Sequence, residues 1–179
     1  MLMGSGYGWS AEALSPSLVE SLRSVRLVLL DFDGVLTDNR VIVSESGEES
    51  VVCSRADGIG IARLRELGIP CCVVSSEENA VVERRCEKLG VRCFRGVKSK
   101  VDVAEALGVE LGVSPGEMLF VGNDVNDLGV LRFVGLGVAV ADAVPEVQQV
   151  AGMVLECRGG FGAVREICDR IVAAVTAAG

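Results

Sequence analysis

The chain has 179 residues, half of them hydrophobic and few of them aromatic, with a formal net charge of -8 and no histidine. That length suits one domain and leaves no room for a second catalytic one. The acidic balance excludes a broad attraction to nucleic acid, and the missing histidine excludes imidazole catalysis. Seven cysteines (Cys53, Cys71, Cys72, Cys86, Cys93, Cys157, Cys168) include no C-x-x-C pair. Without close thiol pairs or histidine a zinc site is not expected, and they read as reduced core residues. No apolar run approaches the roughly 18 residues of a membrane span, and the N-terminus lacks the basic-then-apolar order of a signal peptide. A soluble, cytoplasmic protein is expected.

Residues 1–24 read as a tail and leading segment, Met1 to Ser10 being rich in Gly and Ser, with a single domain over 25–179. Val25 to Leu30, Cys71 to Val74, Met118 to Val121 and Val138 to Val140 are short apolar runs of strand length, and a further short strand is expected around Arg92 to Phe94. Between them Ile59 to Leu67, Ala80 to Leu89, Val101 to Leu111 and Leu128 to Phe133 place apolar residues at helical spacing. Gly68, Gly90, Gly112 and Gly135 follow these helices as stop signals. Such alternation predicts an α/β fold: a three-layer, Rossmann-like sandwich around a parallel sheet. One stretch breaks the rhythm, since Arg40 to Cys53 reads as two β-prone runs around a Ser-Gly turn, a hairpin inserted after the first strand.

In parallel sheets ligands bind beyond the carboxyl ends of the strands, so polar residues just after each apolar run should converge. After the first run come Asp31 and Asp33, with Gly34 for a sharp turn and Asp38 nearby. Asp-x-Asp there is compatible with ordinary turn chemistry, but carboxylates so close repel unless a cation sits among them. Ser75 ends the second run, Lys100 opens a helix, and G-N-D-V-N-D places Asn123, Asp124 and Asp127 after the Met118 to Val121 run. Oxygen ligands of this kind suit a hard cation such as Mg2+.

D-F-D-G-V-L-T, Ser75, Lys100 and G-N-D-V-N-D, in this order, resemble the four motifs of the haloacid dehalogenase (HAD) superfamily phosphatases. The resemblance implies a HAD-like fold and a Mg2+-dependent phosphomonoesterase. Asp31 would be the nucleophile that forms an aspartyl phosphate, and Asp33 the acid that protonates the leaving oxygen and then activates water. Ser75 and Lys100 would neutralise and position the phosphate. It also implies metal ligation by Asp31, by the Asp33 carbonyl and by the fourth motif. There Asn123 stands in place of the family's usual aspartate, so either the neutral amide oxygen binds more weakly or Asp124 ligates instead.

The short hairpin in place of a cap domain, A-D-G-I-G-I (Ala56 to Ile61) and R-G-G-F-G-A-V-R-E (Arg158 to Glu166) resemble the branch acting on eight- and nine-carbon keto-sugar acid phosphates. Its members form homotetramers in which a hairpin and C-terminal tail close a neighbour's site. Ser75-Ser76-Glu77, with Lys88 eleven positions later, resembles the 2-keto-3-deoxynononate 9-phosphate phosphatases, so a nonulosonate 9-phosphate of the sialic acid type is expected, with Glu77 and Lys88 binding substrate. The alternatives are 3-deoxy-D-manno-octulosonate 8-phosphate, or a noncatalytic assembly domain like that fused to CMP-sialic acid synthetases. Arg158 and Arg165 are expected either to bind substrate at a neighbour's site or to belong to an ordinary Gly-rich loop. Asp57 is expected to cap a helix starting at Gly58.

Overall fold

The computed structural model describes residues 14–177; the tail Met1 to Ser10 lies outside them. In chain order the elements are α1 (Pro16–Ser24), β1 (Leu27–Leu30), the hairpin strands β2 (Thr37–Val43) and β3 (Glu49–Cys53), α2 (Arg55–Glu66), β4 (Cys71–Val74), α3 (Ala80–Leu89), β5 (Arg92–Phe94), α4 (Lys100–Leu111), β6 (Met118–Gly122), α5 (Leu128–Phe133), β7 (Leu136–Ala139), α6 (Pro145–Val150), β8 (Met153–Val154) and α7 (Ala163–Thr176). Six strands form one parallel sheet in the order β5-β4-β1-β6-β7-β8. Helices α1, α2 and α7 pack together, as do α4, α5 and α6, which makes the expected three-layer sandwich.

β1 sits where the connections reverse direction. From it the chain steps outward through β4 to β5, then returns to β6 on the other side. This is the switch point at which a crevice opens above the strand ends. All four residues of β1 are buried, in register with Cys71 to Val73 on one side and Met118 to Val121 on the other. Burying each such aliphatic side chain stabilises the fold by roughly 1.5–3 kcal/mol, so the backbone that delivers Asp31 is among the most firmly held. The cysteines are free, with Cys71, Cys72, Cys86 and Cys168 buried. Among the described residues no helix is long and apolar enough to cross a membrane.

Several elements differ from expectation. The leading segment holds α1, whose Leu22 is buried and whose Arg23 donates to the Ala174 carbonyl of α7 at 3.0 Å. α6 and β8 were not expected; six and two residues are too short to display a period. β7 begins at Leu136 rather than Val138, and the hairpin begins at Thr37 rather than Arg40. The hairpin's turn uses Gly47 at φ +83°, and its Val41, Ile42, Val43 and Val52 are 53–65% exposed.

α2 starts at Arg55 with Ser54 as its N-cap, accepting the Ala56 N–H at 3.2 Å, so Asp57 is not the cap expected for a helix beginning at Gly58. It caps a different helix. Buried in the first turn of α2, its Oδ1 accepts the Arg165 N–H at 3.0 Å in the first turn of α7, whose own N-cap, Gly162, offers no side chain. Its Oδ2 is buried without a partner. Burial pushes the Asp57 carboxyl up to about 7, against the opposing pull of the Arg165 N–H and the Arg85 and Arg165 charges. The unfolded chain releases this proton near 3.8, so between there and pH 7 the folded state binds more protons and loses stability as pH rises. Asp57→Asn keeps an acceptor without a titrating group. In urea unfolding it should gain on the parent by roughly 2–3 kcal/mol between pH 5 and pH 8; a pH-independent difference would contradict this origin.

Candidate active site

Beyond the carboxyl ends of β1, β4 and β6 lies a cleft of about 260 Å3 lined by Asp31, Asp33, Asn39, Ser75, Ser76, Glu77, Asn123, Asp124 and Asn126. The crevice rule therefore brings together the residues expected from the first, second and fourth motifs. A larger hollow of about 430 Å3 runs from Ile61 past Cys71 and Cys72 to Arg92. It reaches the amino ends of β4 and β5 and shares no residue with the cleft.

At the bottom of the cleft is a buried ionic chain. The Lys100 ammonium lies 2.8 Å from Asp31 Oδ2 and 2.6 Å from Asp127 Oδ1, and all three side chains are at least nine-tenths buried. Ser99 caps α4 and so aims Lys100 from the first position of that helix. Asp31 Oδ1 accepts the Phe32 N–H at 2.7 Å. Asp127 Oδ2 accepts the N–H groups of Asn123 (2.9 Å) and Asp124 (3.4 Å), so one carboxylate holds both the ammonium and the fourth-motif loop. Asp127 was seen only as a strand-end acid; its spacing four residues after Asn123, closing a single helical turn, is the signal that marks it.

Two carboxylates around one ammonium leave a buried excess of negative charge. Burial, opposed by Lys100 and reinforced by Asp127, pushes the Asp31 carboxyl up to about 7. Burial, with Glu77 nearby, also raises Asp33. Beside them Asn123 Oδ1 is buried with no hydrogen-bond partner. A buried amide oxygen left without a donor is costly, and one beside an uncompensated carboxylate has the chemistry of a hard-cation ligand. The residues present fit a divalent ion. Asp124 uses one oxygen as a cap, its Oδ1 accepting the Val125 N–H at 2.7 Å.

The turn is glycine-dependent. Gly34 has φ +77°, and a Cβ there would collide with the Asn123 amide. The Gly-rich segment before α7 packs onto the same turn: Gly160 N–H donates to the Val35 carbonyl at 3.0 Å, and a Cβ on Gly159 would strike the Gly34 carbonyl. Asp142, absent from the sequence reading, anchors this segment by accepting from Gly159 N–H (2.9 Å) and Arg158 Nε (3.2 Å).

The remaining expected residues divide. Ser75 is buried in the cleft, its hydroxyl accepting the Glu77 N–H at 3.1 Å. Glu77 lines the cleft, but one oxygen accepts the N–H groups of Glu78 and Asn79, both at 2.8 Å. Lys88 lies elsewhere, in a groove of about 560 Å3 between α2 and α3 with Arg55, Arg65 and Arg85. Arg158 is largely exposed and pairs with Asp142. Arg165 departs most from a substrate-binding role: its side chain is 11% exposed and pairs with Asp169 at 2.7 Å, next to Arg63, which also pairs with Asp169. Asp38 turns away to Arg40 at 2.7 Å.

An aspartate at the switch point, charge-paired to a lysine from the β5–β6 crossover and open to a cleft without a cap domain, is the arrangement of a capless HAD-type phosphohydrolase. The haloacid dehalogenase-like hydrolase family matches residues 93–164. Over 162 residues the chain is 36% identical to the 3-deoxy-D-manno-octulosonate 8-phosphate phosphatase KdsC of Salmonella typhimurium, covering 90% of this chain and 86% of that protein. The crystal structure of the Yersinia pestis 3-deoxy-D-manno-octulosonate 8-phosphate phosphatase superposes with a TM-score of 0.89 at 32% identity, covering 91% of this chain and 89% of that one. That of the Moraxella catarrhalis enzyme, in complex with magnesium ion, phosphate ion and a KDO molecule, gives 0.88 at 27% identity over 91% and 94%. The chain belongs to the haloacid dehalogenase-like hydrolases. It is a phosphoric monoester hydrolase of the capless type.

Asn123→Asp restores a charge beside Asp31. The Mg2+ concentration giving half-maximal phosphatase activity should fall about tenfold, while the metal-free protein melts lower because a third carboxylate joins the buried excess. An unchanged Mg2+ requirement would remove Asn123 from the metal site.

Proposed function

We propose that the chain hydrolyses an anionic sugar phosphate, with Asp31 as nucleophile and 3-deoxy-D-manno-octulosonate 8-phosphate as substrate. The observation that carries the reading is the buried Asp31–Lys100–Asp127 chain with the unpartnered Asn123 oxygen beside it. Asp31 and Asn123 side chains and the Asp33 carbonyl would hold Mg2+, with Asn123 rather than the capping Asp124 as third ligand. Mg2+ bound there supplies positive charge against the phosphate dianion and the carboxylate that attacks it.

An oxygen of Asp31 attacks phosphorus and the ester bond to the sugar breaks. Lys100 holds the attacking carboxylate in place and offsets charge on the phosphate, while the Ser75 hydroxyl donates to a phosphate oxygen. Asp33 donates a proton to the leaving oxygen and then takes one from the water that cleaves the aspartyl phosphate, a role that the upward shift of its pKa by burial and Glu77 favours. Thr37 Oγ, 3.5 Å from Asp33 Oδ1, positions that carboxyl.

The eight-carbon substrate is preferred to the nine-carbon one expected from Glu77 and Lys88. The relatives support it, and the geometry weakens the pairing behind the other: Glu77 is tied to its own loop, and Lys88 lines a different groove. None of the residues lining the cleft is a cation, yet the sugar acid carries a carboxylate. A cation lent by another copy would meet that need, and the Arg55, Arg65, Arg85 and Lys88 groove supplies four. A homotetramer assembled through the hairpin, whose isolated strands expose Val41, Ile42, Val43 and Val52, is the matching assembly. A cytoplasmic location goes with the phosphorylated substrate and the free thiols.

The parent should release phosphate from octulosonate 8-phosphate in a Mg2+-dependent reaction, with kcat/KM at least tenfold above that for nonulosonate 9-phosphates or hexose 6-phosphates. Asp31→Asn should retain less than about 0.1% of this rate. Phosphate release by neither parent nor variant would favour the assembly-domain alternative, and a preference for a nonulosonate would restore the Glu77 reading. By sedimentation the parent should be a tetramer and Ile42→Glu a smaller species; a monomeric parent, or a tetramer indifferent to the change, would exclude assembly through the hairpin.

A further inference from the structure

Asn39 stands out for its backbone. It is the one non-glycine with a left-handed φ, +63°, among the described residues, a conformation that glycine adopts without penalty and asparagine only tolerably. It sits where the hairpin loses register: Thr37 pairs with Cys53 and Val41 with Val51, so β2 carries two more residues than β3 across this stretch. Bulges of this kind turn a side chain out of the strand's alternation, often beside active sites. Here the turned residue lines the catalytic cleft.

Nothing among the described residues occupies its amide. The Asn39 main-chain N–H donates to Thr37 Oγ at 3.2 Å, but its side chain makes no hydrogen bond within the described residues. The same Thr37 hydroxyl accepts the Gly34 N–H at 3.2 Å and reaches Asp33 Oδ1 at 3.5 Å. Asn39 is thereby tied to the carboxyl that protonates the leaving oxygen. An amide is neutral, donates and accepts, and stands in a cleft whose other walls include four carboxylates, Asp31, Asp33, Glu77 and Asp124. A hydroxyl is the group such an amide binds best there, because it exchanges one hydrogen bond in either direction without adding charge.

We propose that Asn39 is a specificity-determining residue whose side-chain amide hydrogen-bonds a hydroxyl on the carbon chain next to the phosphoester. The inference rests on the phosphomonoesterase reading of the cleft and deepens it. It concerns the polyol part of the leaving group, not the number of its carbons or its carboxylate.

Asn39→Gly keeps the left-handed backbone and removes the amide alone. With Mg2+ present, kcat/KM of parent and variant are compared on octulosonate 8-phosphate and glucitol 6-phosphate, which carry a hydroxyl on the carbon next to the phosphoester, and on p-nitrophenyl phosphate, which carries none. The ratio of sugar phosphate to aryl phosphate should fall about fivefold to tenfold in the variant, mostly through KM, the size expected for one lost neutral hydrogen bond. A ratio that stays the same, whether both rates fall or neither does, would overturn the assignment, since a structural role moves all substrates alike. A parent that prefers glucitol 6-phosphate to octulosonate 8-phosphate defeats the substrate assignment above, while the variant's ratio on the hexitol phosphate still decides the role of Asn39.

Discussion

The structure depends on a buried charge imbalance. Asp31 and Asp127 share Lys100, and the ammonium cannot neutralise both. Such a chain is unfavourable by itself, because desolvating three ions costs more than two contacts return. It persists because each member is held by something rigid: Asp31 by the wholly buried β1, Lys100 by the capped first turn of α4, and Asp127 by two backbone N–H groups of its own loop. The residual negative charge, with Asn123 Oδ1 unpartnered beside it, is a standing affinity for a divalent cation. The same preorganisation suits transfer of a phosphoryl group, where positioning and neutralisation are most of the work.

Around this centre the fold trades enclosure for access. Where a cap domain would sit there is only a two-stranded hairpin with apolar side chains exposed to solvent, and the Gly159–Gly160 segment pressed against the Gly34 turn. Both join the centre through small, close contacts: Asn79 Nδ2, at the N-cap of α3, donates to Glu49 of the hairpin at 2.8 Å, and Asp142 holds the Gly-rich segment at its first amide. Further back, Glu166 accepts the N–H groups of Glu156 and Cys157 and pairs with Arg170, so the approach to that segment is fixed from the buried face of α7. Shape near Asp31 is thus governed by residues distant in sequence and mostly without contact to the cleft.

How much was legible beforehand follows from how local each signal is. Asp31, Asp33, Ser75, Lys100 and Asn123 each stand at an element boundary, and the crevice rule needs only the order of elements to gather them. Lys88 and Arg165 lie outside the chain's own cleft for a common reason. A helix periodicity says that a residue is on a helix, not which neighbour its side chain meets, and here Lys88 faces α2 while Arg165 is taken up by Asp169. Asp57 shows the same limit: its type and position suggest a cap, but the helix it caps is brought beside it only by the packing of α2 on α7. Asn39 carried no local signal, since a left-handed φ at an asparagine is a property of the bulge and not of the residue.

By itself the amino-acid sequence determined the parallel α/β class, the strand that delivers Asp31, the inserted hairpin and the gathering of oxygen donors at one end of the sheet, because all of these follow from apolar periodicity and from polar residues that end apolar runs. Only the tertiary structure decided that Asp127 clamps Lys100, that Asn123 Oδ1 is buried without a partner, and that Lys88 lies in a groove apart from the cleft. Those outcomes depend on which side chains are left with or without partners once helices and loops have packed, and a pairing between distant residues has no trace in the order of the chain.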